Sequence, residues 1–180
     1  MLRHFECYLF LKSLSLEIKK KILRNKIKNV IFNNSNNLDF IYIENIRQWC
    51  KNKKIKFFII NNYKLALKLN ADGVYLTSDY KLNNNLLLYK TRFLIIGSAH
   101  NQLEYFFKQQ QGCKKIFLSP IFNNSKYSIN QILGLSKFNL MSLSWKIKAV
   151  ALGGINLQNL RKIKLTKSKS FGFIRLLNEL

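Results

Sequence analysis

At 180 residues, 48% apolar and 13% aromatic, the chain can bury a substantial core, which excludes a disordered tail and leaves room for one ordinary domain rather than two. Its formal charge of +23 sets up a field that attracts nucleic acid, anionic lipid or phosphorylated metabolites. No run reaches the roughly 18 uninterrupted apolar residues that span a bilayer, and no small-residue cleavage site follows the short apolar run near the start, so the expected location is cytoplasmic, with no membrane partner.

Short apolar, β-branched or aromatic runs alternate with longer segments of helical period from one end to the other. A strand is predicted at residues 8–11, then a helix at 16–24 with apolar residues three and four apart and lysines between. Strand 28–32 leads to helix 42–51, strand 56–60 to helix 63–69, and strands 73–76 and 93–96 precede helix 101–110. Strands 115–118 and 147–152, helix 157–163 and strand 171–174 complete the series. Asparagine clusters at 33–37, 83–85 and 123–124 mark turns.

The strands are apolar almost throughout, as parallel strands buried on both faces by crossover helices are. Eight such units predict an α/β fold, a compact (β/α)8 barrel forming a single domain over residues 1–180. The open dinucleotide-binding alternative lacks a GxGxxG after its first strand. Since usual barrels take about 250 residues, helices and loops must be short, and the last helix is expected to be missing or shortened.

Cys7, Cys50 and Cys113 are odd in number, far apart and without CxxC spacing, which argues for small buried hydrophobes over a disulfide framework or a zinc site. The lysines are dispersed and form no basic tail. That dispersion favours solvated helix faces, in a composition drifted toward Lys, Asn and Ile, over a nucleic-acid footprint.

In such a barrel the active site lies at the C-terminal ends of the strands. The residues expected there are Asn33 to Ser35, Asn61 and Asn62, Thr77 to Asp79, Gly97 to His100, Ser119 to Lys126, Gly153 to Asn156, and Arg175. They include one carboxylate, Asp79, which argues against hydrolysis by paired carboxylates. Gly153-Gly154, where a strand is expected to give way to a helix, offers free N–H groups to a phosphate or is simply a tight turn.

Several segments together resemble the thiamine-phosphate synthase and TenI family. IINNYKLALKLNADGVYLTSDY is similar to its strand ending in Asn-Asp, followed by a helix and Ala-Asp-Gly-Val-His-Leu before a second acid. IIGSAH resembles its Gly-x-Ser-x-His segment, FLSPIFNNSK its Gly-Pro-Val-Phe-Pro-Thr-x-Thr-Lys loop, and ALGGI its Ala-Ile-Gly-Gly-Ile turn. The resemblance runs from residue 57 to the end. It implies the joining of a small phosphorylated pyrimidine to a thiazole phosphate, with Mg2+ and release of pyrophosphate; a homodimer is compatible with it. By position, Asn61 would contact the pyrimidine, Asp79 would bind the metal with Asn62 as a weak second ligand, and Ser98 and Lys126 would contact the pyrophosphate. Asn124, Ser125, Gly153 and Gly154 would receive the thiazole phosphate.

The departures from the pattern are specific. Asn33 and Ser35 replace an Arg-x-Lys pair, Asn62 replaces the first metal aspartate, and the loop before Lys126 is one residue short and lacks both threonines. Arg175 stands where a small residue closes the phosphate site, and it either grips phosphate or plugs the pocket. A TenI-like tautomerase, with His100 as the proton-transfer group, would not need the lost pair. A non-catalytic barrel binding phosphate or a thiamine precursor would need none of these residues for chemistry.

Overall fold

The computed structural model describes residues 2, 5–33, 39–81, 86, 88–89, 91–125 and 127–179. Eight parallel strands close in sequence order: β1 (Glu6–Leu11), β2 (Asn29–Phe32), β3 (Lys56–Ile60), β4 (Gly73–Leu76), β5 (Leu94–Ala99), β6 (Lys115–Leu118), β7 (Lys148–Ala151) and β8 (Ser170–Phe173). The ring closes where β8 pairs with β1, from Glu6↔Ser170 to Leu9↔Phe173. This is the α/β barrel that the eight apolar runs predict.

Helices α1 (Leu16–Arg24), α2 (Phe40–Asn52), α3 (Tyr63–Lys68), α4 (Gln102–Gln110), α5 (Gly134–Ser144) and the four-residue α6 (Leu176–Glu179) surround it. Side-chain oxygens of Ser15, Asn62 and Asn101 accept from N–H groups three residues on, which starts α1, α3 and α4. All four helices α1 to α4 stop in the same way. The N–H groups of Ile27, Ile55, Ala71 and Cys113 reach back to the carbonyls of Ile22, Cys50, Ala66 and Lys108 at 2.9–3.1 Å. In each turn the preceding residue is left-handed: Lys26, Lys54, Asn70 or Gly112. A lysine in that conformation costs roughly 1 kcal/mol more than the usual glycine. The residue after it is buried under the barrel, so the next strand begins at once.

Period-two alternation divides the strands between two cores. One face packs against the helices; the other fills the lumen with Tyr8, Ile31, Phe58, Tyr75, Ile96, Phe117 and Val150. The lumen is mainly aromatic: Phe117 meets Tyr8 and Tyr75 edge-on at centroid distances of 5.0 and 5.2 Å, and Phe10 meets Tyr75 at 5.1 Å. Space for Phe117 exists because β8 carries Gly172, whose missing Cβ would lie 2.9 Å from the ring. At the N-terminal end Lys115 donates to Glu6 and, at 2.8 Å, to the Tyr8 hydroxyl, which itself donates to Glu6 at 2.9 Å. Burial pushes the Glu6 carboxyl up, but the Lys115 and Tyr8 hydrogen bonds outweigh it and leave the carboxyl below its usual range.

Three expectations change. The helix expected at 157–163 is a 3-10 helix over Leu160–Leu165, and β5 runs on to Ala99, so Gly97 and Ser98 lie inside the strand rather than after it. Helix α5 was not foreseen, because its apolar residues circle the helix and only Phe138 is buried. The shortened last helix is found as α6.

Cys7, Cys50 and Cys113 are buried free thiols. Burial pushes each up to about 12, so none is a thiolate near neutral pH. Iodoacetamide followed by intact-mass measurement is expected to leave the native chain unlabelled and to add three adducts after denaturation; rapid labelling of the native protein would contradict this packing.

A polar mouth at the strand ends

Beyond β3, two successive asparagines serve different ends. Asn61 takes a left-handed conformation, and its side chain closes on β4: Oδ1 accepts from the Thr77 N–H at 2.9 Å, and Nδ2 donates to Thr77 Oγ1 at 2.7 Å. The Thr77 hydroxyl in turn donates to the Asp79 carboxylate; with the bond from Asp79's own N–H, this holds the carboxyl below its ordinary value. Asn62 faces the other way. Its Oδ1 accepts from the Leu65 N–H at 2.9 Å and caps α3, so binding a metal would compete with the cap.

The stretch after Asp79 is held from behind. Lys108 of α4 is fully buried, and its Nζ donates to Gln111 Oε1 at 3.0 Å and to the Tyr80 carbonyl at 3.4 Å. Gln111 Nε2 donates to the same carbonyl at 2.8 Å. Burial lowers the Lys108 pKa, and the carbonyl and amide oxygens replace the water it has lost.

Ser98 is 6% exposed. Its hydroxyl hydrogen bonds to the Tyr75 phenol, whose pKa burial pushes far up while that bond pulls it down. It is therefore a lumen residue at the floor of the mouth and not part of an exposed rim. His100 sits at the rim between two partners: Nδ1 lies 2.9 Å from Glu104 Oε2, and Nε2 lies 3.2 Å from the Tyr127 hydroxyl. The same Glu104 oxygen accepts from the His100 N–H at 2.7 Å, while Asn101 and Glu104 exchange hydrogen bonds at the start of α4. The strand-end set thus holds a second carboxylate, contrary to the expectation of Asp79 alone.

The other side of the mouth is built from two loops in close contact. Ile121 and Phe122 donate to the carbonyls of Leu152 and Gly153 at 2.9 and 3.1 Å. Gly153 and Gly154 are both left-handed, and a Cβ on Gly154 would lie 2.4 Å from the Phe122 carbonyl oxygen. Among the described residues no backbone carbonyl accepts from the N–H groups of Gly153 or Gly154. A helix dipole adds little here, because the segment passes through an Asn156–Asn159 turn before its 3-10 helix. Asn124 Nδ2 reaches toward Gly153, 3.5 Å from where its Cβ would stand, and Ser125 is exposed. Lys126 and Ser35 lie outside the described residues, while Asn33 follows β2, half-buried.

Arg175 is exposed. That exposure does not fit a side chain that fills the pocket, and a grip on phosphate would come from the solvent side. In the closed ring β8 lies four strands from β4, so Arg175 and Asp79 stand on opposite sides of the mouth.

Sequence reasoning passed over the roles of Thr77, Glu104, Tyr127 and Lys108. Glu104 carried a signal, since Asn101-x-x-Glu104 is a helix-start pattern that also places a carboxylate one turn after His100. Thr77, Tyr127 and Lys108 act through contacts 16 to 28 residues away in the chain, which local pattern does not reveal. Among the described residues no group of three His, Cys, Asp or Glu side chains could hold a metal by itself. Asp79 still fits Mg2+ of the kind bound by one or two carboxylates and completed by substrate phosphates and water.

A closed parallel barrel whose lumen is packed shut and whose polar residues gather at the strand C-terminal ends defines the class, a (β/α)8 barrel with an enzyme-type mouth. The family model described as thiamine monophosphate synthase matches residues 10–176, and the chain belongs to that family. A thiamine-phosphate synthase from Flavobacterium johnsoniae is 31% identical over 134 residues, 71% of this chain and 63% of the relative. A putative thiamine-phosphate synthase 2 from Aquifex aeolicus is 27% identical over 149 residues, 81% of this chain and 80% of the relative. The match spans less than two thirds of the length of the Flavobacterium relatives, 63% and 65%. A solved thiamine phosphate pyrophosphorylase from Pyrococcus furiosus superposes with a TM-score of 0.78 at 20% identity, covering 97% of this chain and 87% of that one; this likeness concerns the fold.

Proposed function

We propose that the chain acts in thiamine biosynthesis as a cytoplasmic transferase that joins a pyrimidine pyrophosphate to a thiazole phosphate and releases pyrophosphate. The observation that carries this reading is the Asn61–Thr77–Asp79 chain of hydrogen bonds at the ends of β3 and β4. Such a reaction asks for charge neutralisation at the leaving group and little acid–base work. Asp79, kept ionised by Thr77, would hold Mg2+ together with the pyrophosphate oxygens, and the metal would supply charge neutralisation when bound. Asn61 orients Thr77 and keeps one Nδ2 hydrogen for the pyrimidine. Lys126 would add a cation at the pyrophosphate by family resemblance. Across the ring, the N–H groups of Gly153 and Gly154, with Asn124 and Ser125, would receive the thiazole phosphate, and Arg175 would reach it only from the solvent side.

The test is incubation with both substrates and Mg2+, following thiamine phosphate against a no-enzyme control. Product is expected, and its absence with metal in excess would sink the reading. The His100–Glu104 pair, with Tyr127 at the other nitrogen, favours thiazole tautomerisation as the second reading. Conversion of the thiazole carboxylate phosphate tautomer, lost in His100→Asn, would support it. Thermal stabilisation by either substrate with no turnover in both assays would favour a non-catalytic binding barrel.

A further inference from the structure

Several of the lysines that are spaced along the sequence come together in space. Lys26-Ile27-Lys28, Lys54-Ile55-Lys56 and Lys146-Ile147-Lys148 each enter a strand at the N-terminal end of the barrel, and Lys167 and Lys169 do so before β8. In the first two of these turns the isoleucine is buried, and the lysines of all four are exposed. Parallel topology brings every strand start to one face, so a pattern recurring along the chain becomes a basic ring. Two clefts open on it, one of about 340 Å3 walled by Lys26, Lys28, Lys54 and Lys56, the other of about 530 Å3 walled by Lys114, Lys115, Lys146 and Lys148.

Two features set this ring apart from incidental lysine. First, the placement is unfavourable in the isolated chain: Lys26, Lys54 and Lys169 hold φ of 54°, 55° and 49°, where glycine fits better, and Lys115 and Lys148 are direct register partners across β6 and β7, a like-charge pairing that repels. Secondly, counter-charge is already taken: Glu6 is paired with Lys115, and Asp72 with Arg47 at 3.3 Å. At the opposite end Glu17, Asp39, Asp79 and Glu104 stand at helix starts or the mouth. The excess charge therefore faces away from the site described above.

We propose that this N-terminal face binds the phosphate backbone of nucleic acid. The concave, lysine-walled clefts suit a rod-like polyanion better than a planar bilayer. The large exposed apolar side chains lie outside these lysine turns, so the cleft walls offer charge rather than the apolar anchor of membrane-surface binders. Contacts from lysine to phosphate carry no sequence information, so binding without sequence preference is expected. This proposal is independent of the thiamine reading.

The test uses the whole chain and a fluorescein-labelled 20-base-pair RNA duplex, followed by anisotropy. Binding at about 50 mM salt is expected, falling with a log–log slope of about −4 or steeper as released counterions are replaced. Changing Lys26, Lys28, Lys54 and Lys56 to glutamine is expected to weaken binding about ten-fold or more, while the same change at Lys20, Lys64, Lys137 and Lys162, exposed on the flanks, alters it less than about three-fold. The salt titration of the wild type requires no variant to fold. Equal losses in the two quadruple variants would mean that only total charge matters and would overturn the proposal. So would failure of the wild type to bind RNA at about 50 mM salt, or binding only to phosphatidylserine vesicles.

Discussion

Replacing Asp79 by asparagine is expected to reduce thiamine phosphate formation about 100-fold or more at saturating Mg2+, with the fold intact. The side chain is exposed and supports no core contact, so thermal unfolding should be unchanged to within about 0.5 kcal/mol. What is lost is the single carboxylate at the β4 end, in a mouth where Asn62, the weak second metal ligand that the family resemblance implies, is already engaged as the cap of α3. Thr77→Val provides the graded companion. Without the hydroxyl, the chief cause of the lowered Asp79 pKa disappears, while the carboxylate itself remains. A loss of roughly three- to ten-fold, with a higher Mg2+ requirement, is expected from removing one charge-assisted hydrogen bond. Steady-state kinetics across a Mg2+ titration separates the two variants. If Asp79→Asn kept wild-type kcat and Mg2+ dependence, the metal would not be held at β4.

The barrel was legible because its strands must be apolar on both faces. Runs such as Phe57-Phe58-Ile59 are buried on both the lumen and helix sides, and no half-exposed sheet produces them. Element boundaries blurred where polar residues continue a strand inward. Ser98 reads as a loop residue, yet the lumen accepts it because Tyr75 satisfies its hydroxyl. The positions of Asn61 and Asp79 could be read from motif order, but their coupling through Thr77 could not, since it depends on β3 and β4 lying side by side. The exposure of Arg175 was illegible for a related reason. A guanidinium at a strand end implies burial only if the chain continues inward, and here Ile174 and Arg175 are both exposed. The spatial grouping of the strand-start lysines was not legible either. Even spacing along a sequence means dispersal on a single helix, but in a parallel barrel any pattern tied to strand starts is collected on one face.

Gly154→Ala is expected to destabilise the chain by roughly 2–4 kcal/mol and to abolish detectable thiazole phosphate binding. Two costs combine at this position. Its φ of +72° is left-handed, and its added Cβ would stand 2.4 and 2.5 Å from the carbonyl oxygens of Phe122 and Asn123. Those are backbone atoms, so no rotamer change relieves the overlap; the 120–125 loop must move away, and the hydrogen bonds from Ile121 and Phe122 to the β7 loop must stretch with it. Gly134→Ala isolates the conformational part, because φ there is +64° but nothing lies within 4 Å of the added carbon. It should cost only about 1 kcal/mol. By the usual scaling for a chain of this size, the melting temperature should fall roughly 5–15 °C for Gly154→Ala and about 2–4 °C for Gly134→Ala. Calorimetric titration with thiazole phosphate below both melting points completes the comparison. Gly134→Ala should bind like the wild type, because the 2.9 and 3.0 Å bonds from Leu133 and Gly134 to the Pro120 and Ile121 carbonyls use backbone groups that the substitution leaves in place. Normal phosphate affinity in a folded Gly154→Ala would show that the two loops meet for packing alone, and that the phosphate is received elsewhere in the mouth.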